Sequence, residues 1–218
     1  MLWMLLSLAV ASGWCAARAP GDTTTPPDAA STSGNGALQV LVDADQADRL
    51  GGAIIREPGK VLERDATRRD QVLSIMGAHG LNSARDYFNA ALIMQHSRPD
   101  IELAYALATI SHYLEPTNKA PTSLMAAAWD RLLMQRVQPQ WYGTQYKNDG
   151  AGGVFLFPVA EGVITDAERE RMGVSTLEEA RNRVADMAQS VGTKAVPTPS
   201  IGSLQAKARA EADAAEEK

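Results

Sequence analysis

From Lys60 to Val137 apolar side chains recur every three or four positions, the period of helices that each bury one stripe. The first carries Leu62, Ala66, Leu73 and Met76, with Arg69 in the same stripe, and stops at Gly80. Ser83 and Asp86 form an S-x-x-D capping box that opens a second helix through Tyr87, Ala90, Ala91 and Met94. Ser97 and Asp100 repeat the box, with Pro99 in the first turn, where its missing N–H costs little. The third helix holds Leu103, Ala104, Leu107, Ala108 and Ile110; Glu102, Tyr105, Thr109 and His112 mark its wet face. A fourth begins near Pro121 and runs to about Val137. Helices with connections this short pack as antiparallel neighbours. The alanines at Ala90, Ala91, Ala104, Ala106, Ala108 and Ala126 to Ala128 permit close approach, in the manner of tetratricopeptide-like hairpins. No repeat of fixed period accompanies them, so the likeness is one of packing.

After Pro139 the period changes. WYGTQY and VFLFPV are aromatic and β-branched runs separated by KNDGAGG, which is turn chemistry, and they predict a small β-hairpin. Thr165 with Glu168 and Ser175 with Glu178 read as two further capping boxes, opening a short helix that ends at Gly173 and a longer one to about Ser190. Ahead of the bundle, the stretch from Ala37 to Pro58 admits a strand at LQVLV or a helix through Asp48; helix is the preferred reading. The expected fold is therefore mainly α: helical hairpins, a small β-hairpin and two C-terminal helices, in one domain over residues 38–190. Residues 191–218 read as a linker and a charged tail without an apolar face.

The first 17 residues contain no charged side chain and pass from apolar to small, which is the pattern of a signal peptide cleaved after Ala17. The run lacks a basic residue before it, so an uncleaved membrane anchor is the alternative. Cys15 follows Trp14 rather than a small residue, which speaks against lipidation. Residues 18–36, rich in Pro, Thr, Ser and Gly, read as a disordered linker. The expected location is periplasmic or secreted. The net charge of −5 comes without a basic block or aromatic–basic interleaving, so nucleic acid is not the expected partner.

Asp130 is the residue most out of place. At helical spacing its neighbours are Ala126, Leu133, Met134 and Val137, and a carboxylate among them must be paired or hydrogen-bonded. Arg69 across the bundle, the adjacent Arg131, or backbone amides of the turn at Gly143 could each serve. Gln95 lies with Phe88, Ala91 and Leu92 and should face inward; His96 lies on a mixed face near its helix end. Gln138, Gln140, Tyr142, Thr144 and Gln145 crowd donors and acceptors around Gly143, either to recognise a ligand or to tie the helix end to the hairpin. The histidines, His79, His96 and His112, sit on separate helices and give no metal signature, and neither a nucleophile elbow nor a phosphate-binding glycine loop is present. No cofactor and no metal are expected.

At these residues the chain resembles a family of uncharacterised bacterial proteins known only as a domain of unknown function. The resembling stretches are Asp86 to Ser97, Ala104 to Ala108, Ala126 to Tyr146 and Thr165 to Ala180, with Asp-Arg followed by Pro-Gln and Gly-Thr-Gln the most specific part. Ser175 stands where that family often has proline. The resemblance implies helical hairpins with this appendage and no established activity. The expected function is a non-enzymatic exported binding or scaffold protein, its partner a protein or peptide. The alternative is a hydrolase-like periplasmic enzyme using Asp130, His96 and the Gln140–Gln145 loop.

Overall fold

The computed structural model describes residues 34–190 and 192–216. The expected signal peptide and residues 18–33 of the expected linker lie outside the described residues. The last three residues of that linker belong to the fold. The Asn35 side chain caps α1 (Gly36–Leu50) by accepting from the amides of Ala37 and Leu38. Asn35 also donates to the Asp86 carboxylate and to the Gly80 carbonyl.

A single turn, α2 (Ala53–Arg56), leads into α3 (Pro58–Gly77), followed by α4 (Ala84–Met94), α5 (Ile101–Leu114) and α6 (Ala120–Gln135). The Ser83–Asp86 box forms in full at the start of α4. α4, α5 and α6 stack as successive neighbours, with Ala90, Ala91, Ala104 and Ala108 fully buried between them and Leu38, Val42 and Val72 closing the core from α1 and α3.

Two features of the bundle depart from the sequence reading. The buried face of α3 is Val61, Asp65, Arg68 and Val72, one position away from the expected Leu62–Ala66 stripe, and Leu62 is 44% exposed. Charged side chains occupy half of this inner face, so an apolar count sets the wrong phase. The Ser97–Asp100 box does not form. A 3-10 turn over Arg98–Asp100 enters α5, and the Asp100 carboxylate instead accepts from the Ser97 hydroxyl and from Arg69. Arg69 is thereby paired at the bundle's side and not with Asp130.

The expected hairpin is β1 (Tyr146–Asn148) and β2 (Gly153–Leu156), antiparallel with Tyr146 opposite Leu156. β2 also pairs in parallel with β3 (Lys194–Ala195), making a three-stranded sheet. Between the last two strands run α7 (Asp166–Arg171), opened by the full Thr165–Glu168 box, and α8 (Leu177–Ser190). The box at α8 is one residue later than expected: the Thr176 amide donates to Glu179, and the Glu179 amide to the Thr176 hydroxyl. Tyr146, Val154 and Leu156 pack on Ala180 and Ala188 of α8.

The segment expected to be a linker and free tail completes this layer. After β3 comes α9 (Ile201–Glu216), and Val196, Ile201 and Leu204 pack over the buried Met134, Phe155 and Phe157. Gln205 donates to the Val137 carbonyl and Thr198 to the Leu156 carbonyl. α9 is solvated along most of its surface, but Ile201, Leu204 and Ala208 form a narrow partly covered edge. Among the described residues no helix is long and apolar enough to cross a membrane.

Ending the chain after Ser190 would strip that cover from Met134, Phe155 and Phe157. Partial burial of three aliphatic side chains is worth about 2–4 kcal/mol in total. The truncated protein should therefore melt lower by roughly 4–15 °C, by calorimetry. An unchanged melting temperature would show that the domain ends at residue 190.

Candidate functional site

Asp130 lies on the buried face of α6 with no solvent exposure. The backbone amides beyond the helix supply its partners. Trp141 N and Tyr142 N donate to Oδ1 at 2.8 and 3.0 Å; Thr144 N and Thr144 Oγ1 donate to Oδ2 at 3.0 and 2.8 Å. Of the sequence alternatives, the turn around Gly143 is the one that forms. Burial raises the Asp130 carboxyl from its ordinary value, while the amides of Tyr142 and Thr144, the Thr144 hydroxyl and the Trp141 amide pull it back. Three N–H groups aimed at two oxygens suit an acceptor-only carboxylate.

Reaching Asp130 requires the chain to reverse along α6. Val137 adopts a left-handed conformation, φ 49°, just past the helix, a strained position for a β-branched residue. Gly143 supplies the second reversal at φ 82°, where the space for a Cβ exists and the backbone angle alone demands glycine. Gln140 then closes the loop from within. Its Oε1 accepts from Gln145 N, and its Nε2 donates to the carbonyls of Gln145 and Phe157.

A residue the sequence reading missed holds the loop's other side. Arg169 of α7, 2% exposed, donates to the carbonyls of Trp141, Tyr142 and Ile164, at 3.0, 3.0 and 2.9 Å. Asp130 thus takes the N–H groups of the loop and Arg169 takes its carbonyls. Arg169 sits at the fourth position of the helix that Thr165 caps, facing inward in a segment, DAERER, that reads as solvated from composition alone.

Behind this loop is a cavity of about 240 Å³. α6 contributes Ser123, Leu124, Ala127 and Arg131; the loop contributes Tyr142, Gly143, Thr144 and Gln145; the α7–α8 connection contributes Gly173, Val174 and Ser175. Gln95, just past α4, and Arg183 of α8 complete it. Arg131 is 1% exposed. Its Nε donates to Gln145 Oε1 at 3.0 Å and its Nη1 to both the carbonyl and Oε1 of Gln95. Burial lowers its guanidinium to about 9, with Arg49 adding to the push and Asp45 and Asp130 opposing it. It is still a cation at neutral pH.

The structure brings together Gln95, Arg131, Tyr142, Gly143, Thr144 and Gln145 at this cavity. Asp130 and Gln140 stand behind it as loop supports. Arg69 is remote from it, bound to Asp100. His96 does not line it either. Its Nδ1 lies 3.0 Å from Asp45 Oδ1, and its Nε2 accepts from Arg49 Nε at 3.1 Å. Because Nε2 must accept, the hydrogen sits on Nδ1 and points at Asp45. Around them, Arg49 also reaches Asp65, and Arg68 pairs with both Asp65 and Asp48. Asp130 and His96 thus belong to separate hydrogen-bond networks, one with the loop and one with Asp45 and Arg49. Arg183, Ser123 and the network around Asp45 were not singled out from the sequence. They come from four separate elements, and no spacing links them.

Family models, curated proteins and solved structures were each compared with the chain, and none matches. The family resemblance therefore stands on the sequence alone.

Asp130→Ala would leave three amides and a hydroxyl without their acceptor. The expected cost is about 3–5 kcal/mol, a large share of the roughly 5–15 kcal/mol of a typical domain. A mutant melting at or above the wild-type temperature would defeat this account of the loop.

A second expectation concerns pH. Burial pushes the His96 imidazole down from 6.5 to about 4; Asp45 opposes this, and Arg49 and Arg131 reinforce it. The unfolded chain takes up a proton there that the folded chain refuses. Stability is thus full above about pH 6.5 and falls as pH drops toward 4, by about 3 kcal/mol in all. Urea unfolding between pH 7.5 and 4.5 should show this slope, and His96→Gln should flatten it. Equal slopes in the two proteins would contradict it.

Proposed function

We propose that this protein is an exported, non-enzymatic binding module, and that the cavity beside the clamped loop is where its protein or peptide ligand docks. The observation that supports this reading is the support around the cavity. Asp130, Gln140 and Arg169 hold the loop by backbone contacts from three sides, so Tyr142, Gly143, Thr144 and Gln145 are presented in a fixed arrangement. Preorganisation of this kind reduces the ordering cost that binding would otherwise carry. The His96–Asp45 pair is enclosed among arginines and does not line the cavity, with the His96 side chain 5% exposed.

Affinity capture from a cell-envelope extract tests it. The wild-type protein should retain one polypeptide in near-stoichiometric amount. Ala127→Phe, which fills the cavity from α6, should fold normally by circular dichroism and lose that partner. Identical capture by both proteins would remove the cavity as the site. Turnover of a substrate that Asp130→Asn abolishes would replace the binding reading with an enzymatic one.

A further inference from the structure

Four aromatic side chains gather beside the clamped loop. Tyr105 of α5 lies 6.1 Å from Trp129 of α6, and Trp129 lies 5.1 Å from Trp141 of the loop, ring centre to ring centre. Tyr142, the next loop residue, joins this row to the cavity: it lines the cavity, and its hydroxyl is raised by burial and by Tyr105 nearby. All four are only half-buried. Trp141 and Tyr142 are also fixed at the backbone, each giving its N–H to Asp130 and its carbonyl to Arg169. Half-exposed Trp and Tyr rings held in place mark recognition surfaces, because the ring body packs while the polar tip hydrogen-bonds. The cavity wall adds unspent donors. Gln95 is 3% exposed, and its Oε1 accepts from Arg131, which makes Nε2 its donor end; that Nε2 has no acceptor among the described residues. The Ser175 hydroxyl accepts from Arg183, and the Tyr142 hydroxyl has no hydrogen-bond partner among the described residues, so each keeps a hydrogen to give. A buried N–H without an acceptor is costly, so a ligand that brings one is favoured.

We propose that this site binds a proline-rich segment in the polyproline II conformation, laid along Tyr105, Trp129 and Trp141 with one residue seated in the cavity. Proline carries a carbonyl acceptor and no N–H. Such a segment supplies what Gln95, Tyr142 and Ser175 lack and asks for no acceptor in return. The polyproline helix has no internal hydrogen bonds and is already extended, so aromatic surfaces take it at a small ordering cost. Spacing agrees as well. The helix rises about 3.1 Å per residue, so each ring-to-ring step along the row covers about two residues. So does size: at about 30 Å³ per water-sized unit, the cavity holds on the order of eight non-hydrogen groups, enough for one proline residue. The proposal rests on the binding reading above and specifies its ligand.

The test is titration of the protein followed by calorimetry and by tryptophan fluorescence. Acetyl-hexaproline amide is compared with an alternating alanyl-seryl hexapeptide amide and with cellohexaose. Hexaproline should bind and shift the tryptophan emission, and the alanyl-seryl peptide should bind at least about tenfold more weakly. Tyr142→Phe removes only a hydroxyl and should weaken hexaproline about fivefold, the worth of one hydrogen bond. Tyr105→Ala, at a half-buried position on α5, should weaken it by about tenfold or more. Circular dichroism checks the fold of both variants, and Tyr142→Phe decides alone if Tyr105→Ala does not fold. Hexaproline binding that the folded variants leave unchanged overturns the site. Binding without a change in emission takes the chain off Trp129 and Trp141 and overturns it as well. Equal binding of the two peptides overturns the proline preference while leaving a peptide-binding site in place. Tighter binding of cellohexaose overturns it in favour of a glycan and removes the peptide reading with it. No binding of hexaproline at millimolar concentration overturns it outright; the envelope capture with Ala127→Phe then shows whether the binding reading has fallen too.

Discussion

The hydrogen bonds around residues 141–144 set the terms for everything C-terminal to the helical bundle. A loop with its backbone partly inside the protein must place each N–H and C=O somewhere. Here the donors go to one buried anion, Asp130, and the acceptors to one buried cation, Arg169. Because the two side chains belong to α6 and α7, the loop also fastens the C-terminal layer to the bundle. The hairpin starts directly after it, with Gln145 N held by Gln140 and Tyr146 buried on α8. The strained backbone at Val137 follows from the same demand: the chain must fold back sharply enough to bring its amides to Asp130. Local strain of this sort persists where its surroundings over-determine it.

The sequence makes part of this legible, and the physics says which part. Local signals read well. The boxes at Ser83 and Thr165 form because both members lie within one turn and nothing remote competes for them. Asp130 reads as buried and satisfied because an unpaired carboxylate among Leu133 and Met134 is too costly to exist. Apart from the one-residue slip of the α8 box, the failures are non-local. Asp100 leaves its box for Arg69, 31 residues away. α3 is mis-phased because Asp65 and Arg68 pair with α1 and turn inward, where a hydrophobic count treats them as solvent-facing. Arg169 is invisible because its partners are backbone carbonyls, which no side-chain pattern encodes. The tail reads as free because α9 buries only an edge, and that edge has value only against Phe155 and Phe157.

The protein handles buried charge in two ways, and the contrast bears on where function resides. Around α1 and α3, Asp45, Asp48, Asp65, Arg49, Arg64 and Arg68 compensate one another. Burial would raise the Asp45 carboxyl, yet His96, Arg49 and Arg68 together hold it below its usual range. Such a network fixes how the helices meet and leaves little charge to offer a ligand. Arg131 stands at the junction of the two regions, feeling Arg49 and Asp45 on one side and Asp130 on the other. At the cavity it donates to the amide oxygens of Gln145 and Gln95. A network whose charges offset one another stabilises a fold, whereas the cavity has Arg131 and Arg183 in its lining and no described Asp or Glu. That difference is why the Arg131 cavity, rather than the denser cluster around His96, is the place to look for recognition.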